Sequence, residues 1–406
     1  MKYVELDDSV GHRIGTNLFY DFENSEARIK IGAKITPGRL EKLRNFLRKK
    51  AISHIVVLDE NDNYEIIISN LPIEENLLFE LHNLNYRITN LLQNEGDLGS
   101  ILESKETIEI MNRVIQNLKD SSFMYNLFPH RFFGTELFNH CVHTCLICLA
   151  IGIKLNYNEK DLVSLGYAGL LHDIGMTHED IYFYISEPEY ANTFLHPNSD
   201  AMHQIRSHVY KGKNMFQLGL RKSMKNSSLW RYFDPKIIFE AIEFHHWDWQ
   251  NYPMLARGKP SDMARIVGMA DFYDSKTTEK NYRIEKENCL RYSSKKVLDC
   301  ILRSNLRPYI KEVAREVICP FPPNERVYLS GMVRARIYRI NKADVARPIV
   351  ILEEDNCEKK NSIFKGKKRG DVVNLLDKQY TSIEIYDMDS VRDLLGTARI
   401  EDDILY

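Results

Sequence analysis

The pattern of apolar and polar positions divides the chain into a helical middle and two flanking stretches with short, strand-like runs. Long helical spacing dominates residues 123–318, and a helical linker is predicted over 71–122. Residues 1–70 predict a small β-rich accessory module, and 319–406 a short β-rich segment. We therefore predict a mainly α fold with an all-helical core, because the flanking strands are few and short.

The N-terminal module combines short apolar runs with one helix signal. Thr36 followed by Pro37 is typical of an N-cap and a first helical residue, and the helix is expected to reach about Lys50. We see no catalytic constellation here, so a regulatory or scaffolding role is the expectation. Strands are predicted at 28–31, 54–58 and 64–68.

The helical linker carries an apolar seam with alternating spacings of four and three residues, as in a short coiled coil. Two heptads fit a seam between two copies of the chain, and equally a helix packed on its own domain. A homodimer through this linker is therefore one of two open interpretations. The seam consists of Leu77, Leu81, Leu84, Ile88 and Leu91.

The C-terminal segment shows strand-like runs at 326–329, 348–352 and 382–385. A lysine-rich stretch at 359–369 separates the last two of them. Such a charge run is typical of a solvated loop, and we assign it no ligand.

Composition narrows the class of protein. The 406 residues carry a formal net charge of −2 and are 44% hydrophobic, which argues against a protein that coats nucleic-acid polymers. The first eight residues contain three acidic side chains where a signal peptide needs an apolar run. The most apolar stretch, 145–153, is too short to span a bilayer. We therefore expect a cytoplasmic protein without a membrane span.

The seven cysteines are scattered, which suits reduced thiols in a reducing compartment. Cys141, Cys145 and Cys148 nevertheless form a close string that raises the alternative of an iron–sulfur cluster. The string lies within an apolar helical pattern, whereas cluster ligands usually lie in loops. We therefore interpret the three thiols as small buried side chains.

Metal-ligand residue types are concentrated in the helical core. Glu136 and His140 are four residues apart and share one helix face, so both can reach one ion. Imidazoles suit iron, manganese or zinc, and a carboxylate can bridge two ions about 3.5–4 Å apart. Since cysteine is absent from these positions, structural zinc is not expected. The further candidates are His172, Asp173, His208, His245, His246 and Asp271.

A single histidine on an apolar helix face is more often a hydrogen-bonded core residue than a ligand. We apply this interpretation to His143, His178, His196 and His203. The prediction of a metal site therefore depends on the order and spacing of the whole set.

That order resembles the HD-GYP family of phosphodiesterases, within the larger HD superfamily. The resemblance extends from Glu136 to Arg283, and the flanking β-rich segments are similar to segments often attached to this family. It implies an HD-GYP-like catalytic helical domain at 123–318. The matching segments are 136–140, 171–175 (LHDIG), 208–212, 244–253 and 271–283.

The resemblance implies hydrolysis of cyclic di-GMP to its linear dinucleotide, with GMP as a further product. Water activated by two or three divalent ions, iron or manganese, would attack the phosphate, with His172 and Asp173 at the catalytic centre. Glu136 would serve a third ion. The implied metal ligands are Glu136, His140, His172, Asp173, His208, His245, His246 and Asp271, and the implied substrate contacts are Lys280, Arg283, Tyr252 and Lys211.

The chain departs from the family pattern in its expected substrate contacts. Met176 occupies the position of a phosphate-contacting lysine, so Lys211 or Lys213 is the candidate replacement. The stretch 245–253 is two residues shorter than the family motif, and 274–277 reads DSKT where the family has DALT. Two alternatives stay open: a sensor that binds cyclic di-GMP without cleaving it, and another HD-superfamily enzyme, either a nucleotidase or an iron oxygenase.

Overall fold

The structure is a computed structural model of the whole chain. Three of the proposed substrate contacts, Tyr252, Lys280 and Arg283, lie outside the residues that it describes, as do His196 and the side chain of Glu136. The described residues are 2–14, 18–19, 28–29, 32–47, 54–58, 66, 75–94, 96–120, 136–178, 181, 200–223, 231–249, 258–278, 292–341, 343–355, 363–387 and 390.

The described residues of the N-terminal segment include two small antiparallel strand pairs and a helix. Strand β1 (Lys2–Glu5) pairs with β4 (His54–Val57), and β2 (Leu18–Phe19) pairs with β3 (Arg28–Ile29). Helix α1 (Pro37–Leu47) begins at the predicted proline. The strand predicted over 64–68 is wrong at Ile66, which is helical, because a short apolar run does not distinguish the two structures.

The middle of the chain is helical. Asn158, Asp234 and Ser261 cap three of its helices, each accepting a hydrogen bond from the first turn, as the sequence chemistry of N-caps requires. The elements are α2 (Glu75–Gln93), α3 (Leu98–Leu102), α4 (Lys105–Asp120), α5 (Glu136–Lys154), α6 (Glu159–Leu171), the 3₁₀ turn Ile174–Thr177, α7 (Asp200–Arg206), α8 (His208–Ser223), α9 (Pro235–Phe244), α10 (Asp262–Thr277), α11 (Ser294–Arg303) and α12 (Pro308–Val317).

Helix α5 lies at the centre of the helical core. It packs against α2, α4, α6, α10 and α12, and its apolar side chains are buried on nearly every side. Its window Leu137–Lys154 is long and apolar enough to cross a membrane, but 78% of that window is buried within the fold. Burial in the protein explains the apolar composition, so the helix is weak evidence for a membrane span.

The predicted seam on α2 faces this same core. Leu77, Leu81, Leu84 and Ile88 are all buried there, so packing within the chain accounts for their spacing. The thiols of Cys141, Cys145 and Cys148 are free and buried on α5, and burial raises the pKa of each. They behave as small core side chains.

The C-terminal segment forms a five-stranded antiparallel sheet around its own apolar cluster. Strand β5 coincides with its prediction, whereas β6 and β8 are additional to the predicted runs. Lys365, in a turn, and Lys368, in the irregular segment after it, are both exposed, as expected of a solvated loop. The strand order is β8 (Val372–Asn374), β7 (Ile349–Leu352), β6 (Val333–Arg339), β5 (Arg326–Leu329), β9 (Ile385–Tyr386).

Candidate metal centre

Seven of the predicted ligands converge at the ends and inner faces of five helices, α5, α6, α8, α9 and α10. His140 lies on α5, His172 caps the C-terminus of α6, and Asp173 follows it at the start of the 3₁₀ turn. Two sets of donor atoms each lie within 4.8 Å of one another. We call His140, His172 and Asp271 the first ligand group, and Asp173, His208, His245 and His246 the second ligand group.

The first ligand group is compact. Nε2 of His140 lies 3.2 Å from Nε2 of His172 and 3.2 Å from Oδ1 of Asp271. Oδ2 of Asp173 lies 3.7 Å from His140 Nε2 and 3.6 Å from His172 Nε2. One oxygen of Asp173 therefore faces this group.

The other oxygen of Asp173 faces the second ligand group. Oδ1 lies 3.3 Å from Nε2 of His208 and 3.4 Å from Nε2 of His245. Nε2 of His246 lies 3.3 Å from that of His208, and its Nδ1 lies 3.6 Å from Oδ2 of Asp271. The carboxylates of Asp173 and Asp271 thus lie between the two ligand groups. Each has one oxygen facing the first group and the other facing the second.

Hydrogen bonds on the outer side of the rings set the orientation of the imidazoles. Nδ1 of His172 donates to the carbonyl of Gly169 at 2.9 Å, and Nδ1 of His208 donates to that of Ile205 at 2.6 Å. Nδ1 of His245 donates to the carbonyls at the end of α9, one of them 3.0 Å away. A carbonyl only accepts, so in the neutral rings Nε2 carries a lone pair. Three lone pairs therefore point into the centre.

Asp274 orients the fourth imidazole from a side chain instead. Nδ1 of His140 donates to Oδ2 of Asp274 at 2.7 Å, while Nδ1 of His143 donates to Oδ1 at 3.0 Å. This carboxylate was absent from the predicted site, although it lies one helical turn after Asp271 and shares its face. Carboxylates that hold metal-binding histidines are common in proteins. His143 is a buried, hydrogen-bonded residue, as predicted.

Two glycines allow the backbone segments of the centre to approach closely. A Cβ at Gly175 would lie 1.8 Å from the carbonyl oxygen of His208, and one at Gly268 would lie 2.1 Å from that of His245. Neither distance is possible for a side-chain atom. The position of His208 therefore requires glycine at 175, and the position of His245 requires glycine at 268. The sequence around Gly268 gave no indication of this contact, because a glycine within a helical segment does not show which segment packs against it.

Electrostatics favours the ligand forms that bind metal. Burial lowers the pKa of His172 to about 4 and lowers those of His208 and His246, so these rings are neutral at pH 7. Burial opposes ionisation of Asp173 and Asp271, but the surrounding histidines hold both pKa values well below the ordinary range. Neutral imidazoles and ionised carboxylates are the species that coordinate metals.

His140 and His245 shift in the other direction. Burial lowers the pKa of His140, but hydrogen bonds and charges of Asp271 and Asp274 outweigh it and raise the value to about 10. Asp173 likewise raises the pKa of His245 against the effect of burial. The aspartates therefore stabilise positive charge at His140 and at His245, on either side of Asp173. A proton or a metal cation can supply that charge.

The donor distances fit divalent ions. With ligand bonds of about 2.0–2.2 Å, two donors on one ion lie about 3.0–3.4 Å apart, depending on the coordination geometry. The separations within each group are close to this range, and the donors are nitrogen and oxygen, as iron and manganese prefer. The cluster is therefore compatible with divalent metal binding.

Residues 137–276 match the family model of the HD domain. The match covers every described residue of both ligand groups, and it supports assignment of this part of the chain to the HD superfamily. HD domains bind divalent metals, and the buried histidines and aspartates are compatible with a metal-dependent hydrolase. Comparisons with curated proteins and with solved structures gave no match.

The remaining predicted residues have mixed positions. Glu136 begins α5, one turn before His140 and directly before the first residue of the HD-domain match. Lys211 is half-buried on α8, one turn after His208. Lys213 forms an ion pair with Glu243 and lies over the ring of Phe239, 5.0 Å from its centroid. Lys213 is thus engaged with α9.

Two histidines outside the metal centre, His178 and His203, differ in their exposure to solvent. His178 is half-buried at the end of the 3₁₀ turn. His203 is exposed on the short helix α7, so its prediction as a core residue is wrong. Its sequence neighbours are apolar enough to suggest a buried face, but the helix turns this side to solvent.

Proposed function

We propose that this protein is a metal-dependent phosphodiesterase that hydrolyses cyclic di-GMP to its linear dinucleotide. The observation that carries the proposal is the position of Asp173, whose two oxygens face two separate groups of inward-pointing imidazoles. A carboxylate between two such groups suits a pair of ions, which is a common arrangement in enzymes that cleave phosphate esters. The residue order that resembles HD-GYP enzymes supports the cyclic dinucleotide as substrate.

Some residues of the centre would hold the metal ions, and others orient the imidazole rings of those ligands. The two ligand groups would hold the ions, and when bound these would lower the pKa of a coordinated water and neutralise charge on phosphate oxygens. Asp274 fixes the ring of His140, while backbone carbonyls fix His172 and His208. Because the ligands are already oriented, little reorganisation is needed when substrate binds.

Substrate contacts are proposed for Lys211, Tyr252, Lys280 and Arg283. Lysine and arginine match the charge of the phosphates, and a guanidinium can donate two parallel hydrogen bonds to one of them. Lys211 lies on α8, one helical turn after the ligand His208. This position makes it the proposed replacement for the lysine absent at Met176.

A second candidate function is a sensor that binds cyclic di-GMP without cleaving it. It is favoured by Met176, which follows the metal-binding motif and offers no charge to a phosphate. The ligand groups would then have a structural role, and binding would occur without turnover.

The test is anaerobic incubation of the purified protein with cyclic di-GMP and either manganese or ferrous iron, followed by chromatography of the products. We expect the linear dinucleotide to appear, and to disappear after chelation. Cyclic di-AMP and nucleoside monophosphates serve as alternative substrates. His203→Gln, at an exposed histidine outside the ligand groups, should keep full activity.

Tight binding of intact cyclic di-GMP by the metal-loaded protein would instead support the sensor. Hydrolysis of another phosphorylated substrate alone would assign a different activity to the same HD domain. Metal-dependent oxygen consumption would support the iron oxygenase.

A further inference from the structure

The turn that carries His245 and His246 lies against one face of α10. Its residues 245–249 contact α10 at three levels, opposite Arg265, Gly268 and Phe272. These three positions follow the spacing i, i+3, i+7, so they form one stripe along the helix. The turn is therefore attached to α10 along two helical turns.

The first level is a charged contact. Nη1 of Arg265 donates to Oδ1 of Asp248 at 3.2 Å, and the two side chains are only 16% and 6% exposed. An ion pair removed from water to this degree is screened less than a surface pair. Removing either partner leaves the other charge buried without compensation, which is costly.

The second level is the close approach of Gly268 to the carbonyl of His245, described above. The third level is an aromatic contact. The ring of Trp249 stacks on that of Phe272 with centroids 4.3 Å apart and an angle of 18°. Trp249 is buried, and Phe272 directly follows Asp271. Offset stacking of this kind contributes about 0.5–1.5 kcal/mol beyond the burial of area. The stack therefore links the end of the turn to the residue beside a ligand of the first group.

We propose that Asp248, Trp249, Arg265 and Phe272 act as positioning residues for the second ligand group, by holding the His245–His246 turn on α10. The inference rests on the proposed metal centre and adds the residues that shape one side of it. The backbone N–H of His245 makes the last helical hydrogen bond of α9, to the carbonyl of Ala241, and the residues after it are joined only by local turn hydrogen bonds. The contacts to α10 add what these local bonds do not supply, a fixed position of the turn against the opposite helix.

Two of these residues, Asp248 and Trp249, lie in the stretch 245–253 in which the chain departs from the HD-GYP motif. Where that motif has residues of the substrate region, this chain has Trp247, Asp248 and Trp249. Asp248 and Trp249 are directed to α10 and are engaged there. At these two positions the shortened stretch supplies contacts to α10.

The experiment counts metal ions in three variants of the full chain: Arg265→Met, Trp249→Leu and Trp249→Phe. The first two remove the ion pair and the stack, whereas the third retains a ring on Phe272. After loading with manganese and gel filtration, bound metal is measured per chain, and electron paramagnetic resonance distinguishes a coupled pair of ions from an isolated one. Wild type is expected to bind two ions, one for each ligand group.

Matched controls remove similar interactions elsewhere. Arg307→Gln breaks an ion pair of 2.6 Å with Asp262, at the start of the same helix α10. Tyr380→Leu breaks a stack on Phe364 in the C-terminal sheet, with centroids 5.6 Å apart. Both controls should keep two manganese ions and the coupled signal.

The proposal predicts that Arg265→Met and Trp249→Leu bind one ion with an isolated signal, and that Trp249→Phe keeps the pair. Retention of both ions at wild-type affinity in the first two variants would overturn it. If those variants do not fold, Arg265→Lys decides: a loss of affinity of about 10-fold for one ion supports the proposal. Equal weakening of both ions, or of neither, contradicts it. Wild type that binds no manganese would refute the metal centre itself.

Discussion

The two ligand groups differ in what holds their histidines. In the first group, the carboxylate of Asp274 fixes His140, while a backbone carbonyl fixes His172. In the second group, backbone carbonyls fix His208 and His245. The second group also receives a direct side-chain contact, from Oδ2 of Asp271 to Nδ1 of His246 at 3.6 Å, and its turn is held on α10 by Asp248 and Trp249. The first group can thus be altered through the carboxylate of Asp274, and the second through the contacts of its turn with α10.

This difference shows how the two groups are encoded. His140 and Asp271 lie within long helices, where helical spacing aligns them with their neighbours. His208 and His245 lie at helix ends, and their positions require glycine on the opposing segment. The second group therefore depends on close backbone contacts that a pattern of apolar residues does not reveal.

The largest effect is expected at the residue shared by both groups. Asp173→Asn keeps the shape but removes the charge between the groups, so both ions should be lost or greatly weakened. Hydrolysis should fall by about 1000-fold or more, equivalent to about 4 kcal/mol. Metal content and initial rates check this, with His203→Gln as control. Two ions retained in Asp173→Asn would show that this carboxylate is not their bridge.

A smaller and more selective effect is expected at Asp274. Asp274→Asn should weaken metal binding to the first group by about 10–100-fold, since the ring of His140 loses its charged partner. The second group should keep its ion. Titration with manganese over a buffered range of free-metal concentrations measures both affinities. Asp299→Asn, at an aspartate that pairs with Lys295 on α11, is the control and should change neither affinity.

A substitution at Gly268 tests whether the second ligand group depends on the close packing of its turn against α10. In Gly268→Ala the new Cβ would overlap the carbonyl of His245, so the turn must shift, at a cost of about 1–3 kcal/mol in the free energy of unfolding. Thermal unfolding and metal content provide the measurement. Gly38→Ala, where nothing lies within 4 Å of the added atom, is the control. An unchanged metal content in Gly268→Ala would show that the second group tolerates movement of its turn.

The pH dependence of stability has two opposed contributions, one from His172 below its ordinary pKa of 6.5 and one from His140 above that value. The folded-state pKa of His172 is about 4, below its ordinary value of 6.5, so the unfolded chain takes up the proton first. The chelated protein should therefore lose stability as pH falls from 6.5 towards 4. His140 acts oppositely: its contribution is present below 6.5 and is lost as pH rises through about 10.

Unfolding of chelated wild type and His172→Asn at pH 5 and pH 7.5 checks the sign of this effect. Wild type should lose more stability than the variant between these two values. Parallel losses in both proteins would show that His172 does not titrate in this window.

Helical spacing and cap chemistry were sufficient for much of the fold. Pro37 marked the start of α1, and the run 326–329 marked β5. By contrast, the run 64–68 was misassigned at Ile66, because three consecutive isoleucines suit a strand and a buried helix alike. Strand β6 was missed although its apolar and charged residues alternate.

The ligand residues were also predictable, because their residue types and order are distinctive. Seven predicted ligands lie together, although His140 and Asp271, the first and last of them, are 131 residues apart in the chain (271 − 140). Asp274 was missed as part of the site because a carboxylate that orients a histidine looks, in sequence, like any other acidic residue of a helix. The contacts of Arg265 and Gly268 were missed because they depend on which segment packs opposite them.

The most direct test of the central claim is anomalous diffraction from crystals of the protein loaded with manganese. We predict two anomalous peaks, one in each ligand group, on opposite sides of the Asp173 carboxylate and about 3.5–4 Å apart. A single peak, or peaks away from Asp173, would contradict the bridged pair of ions on which the proposed activity depends.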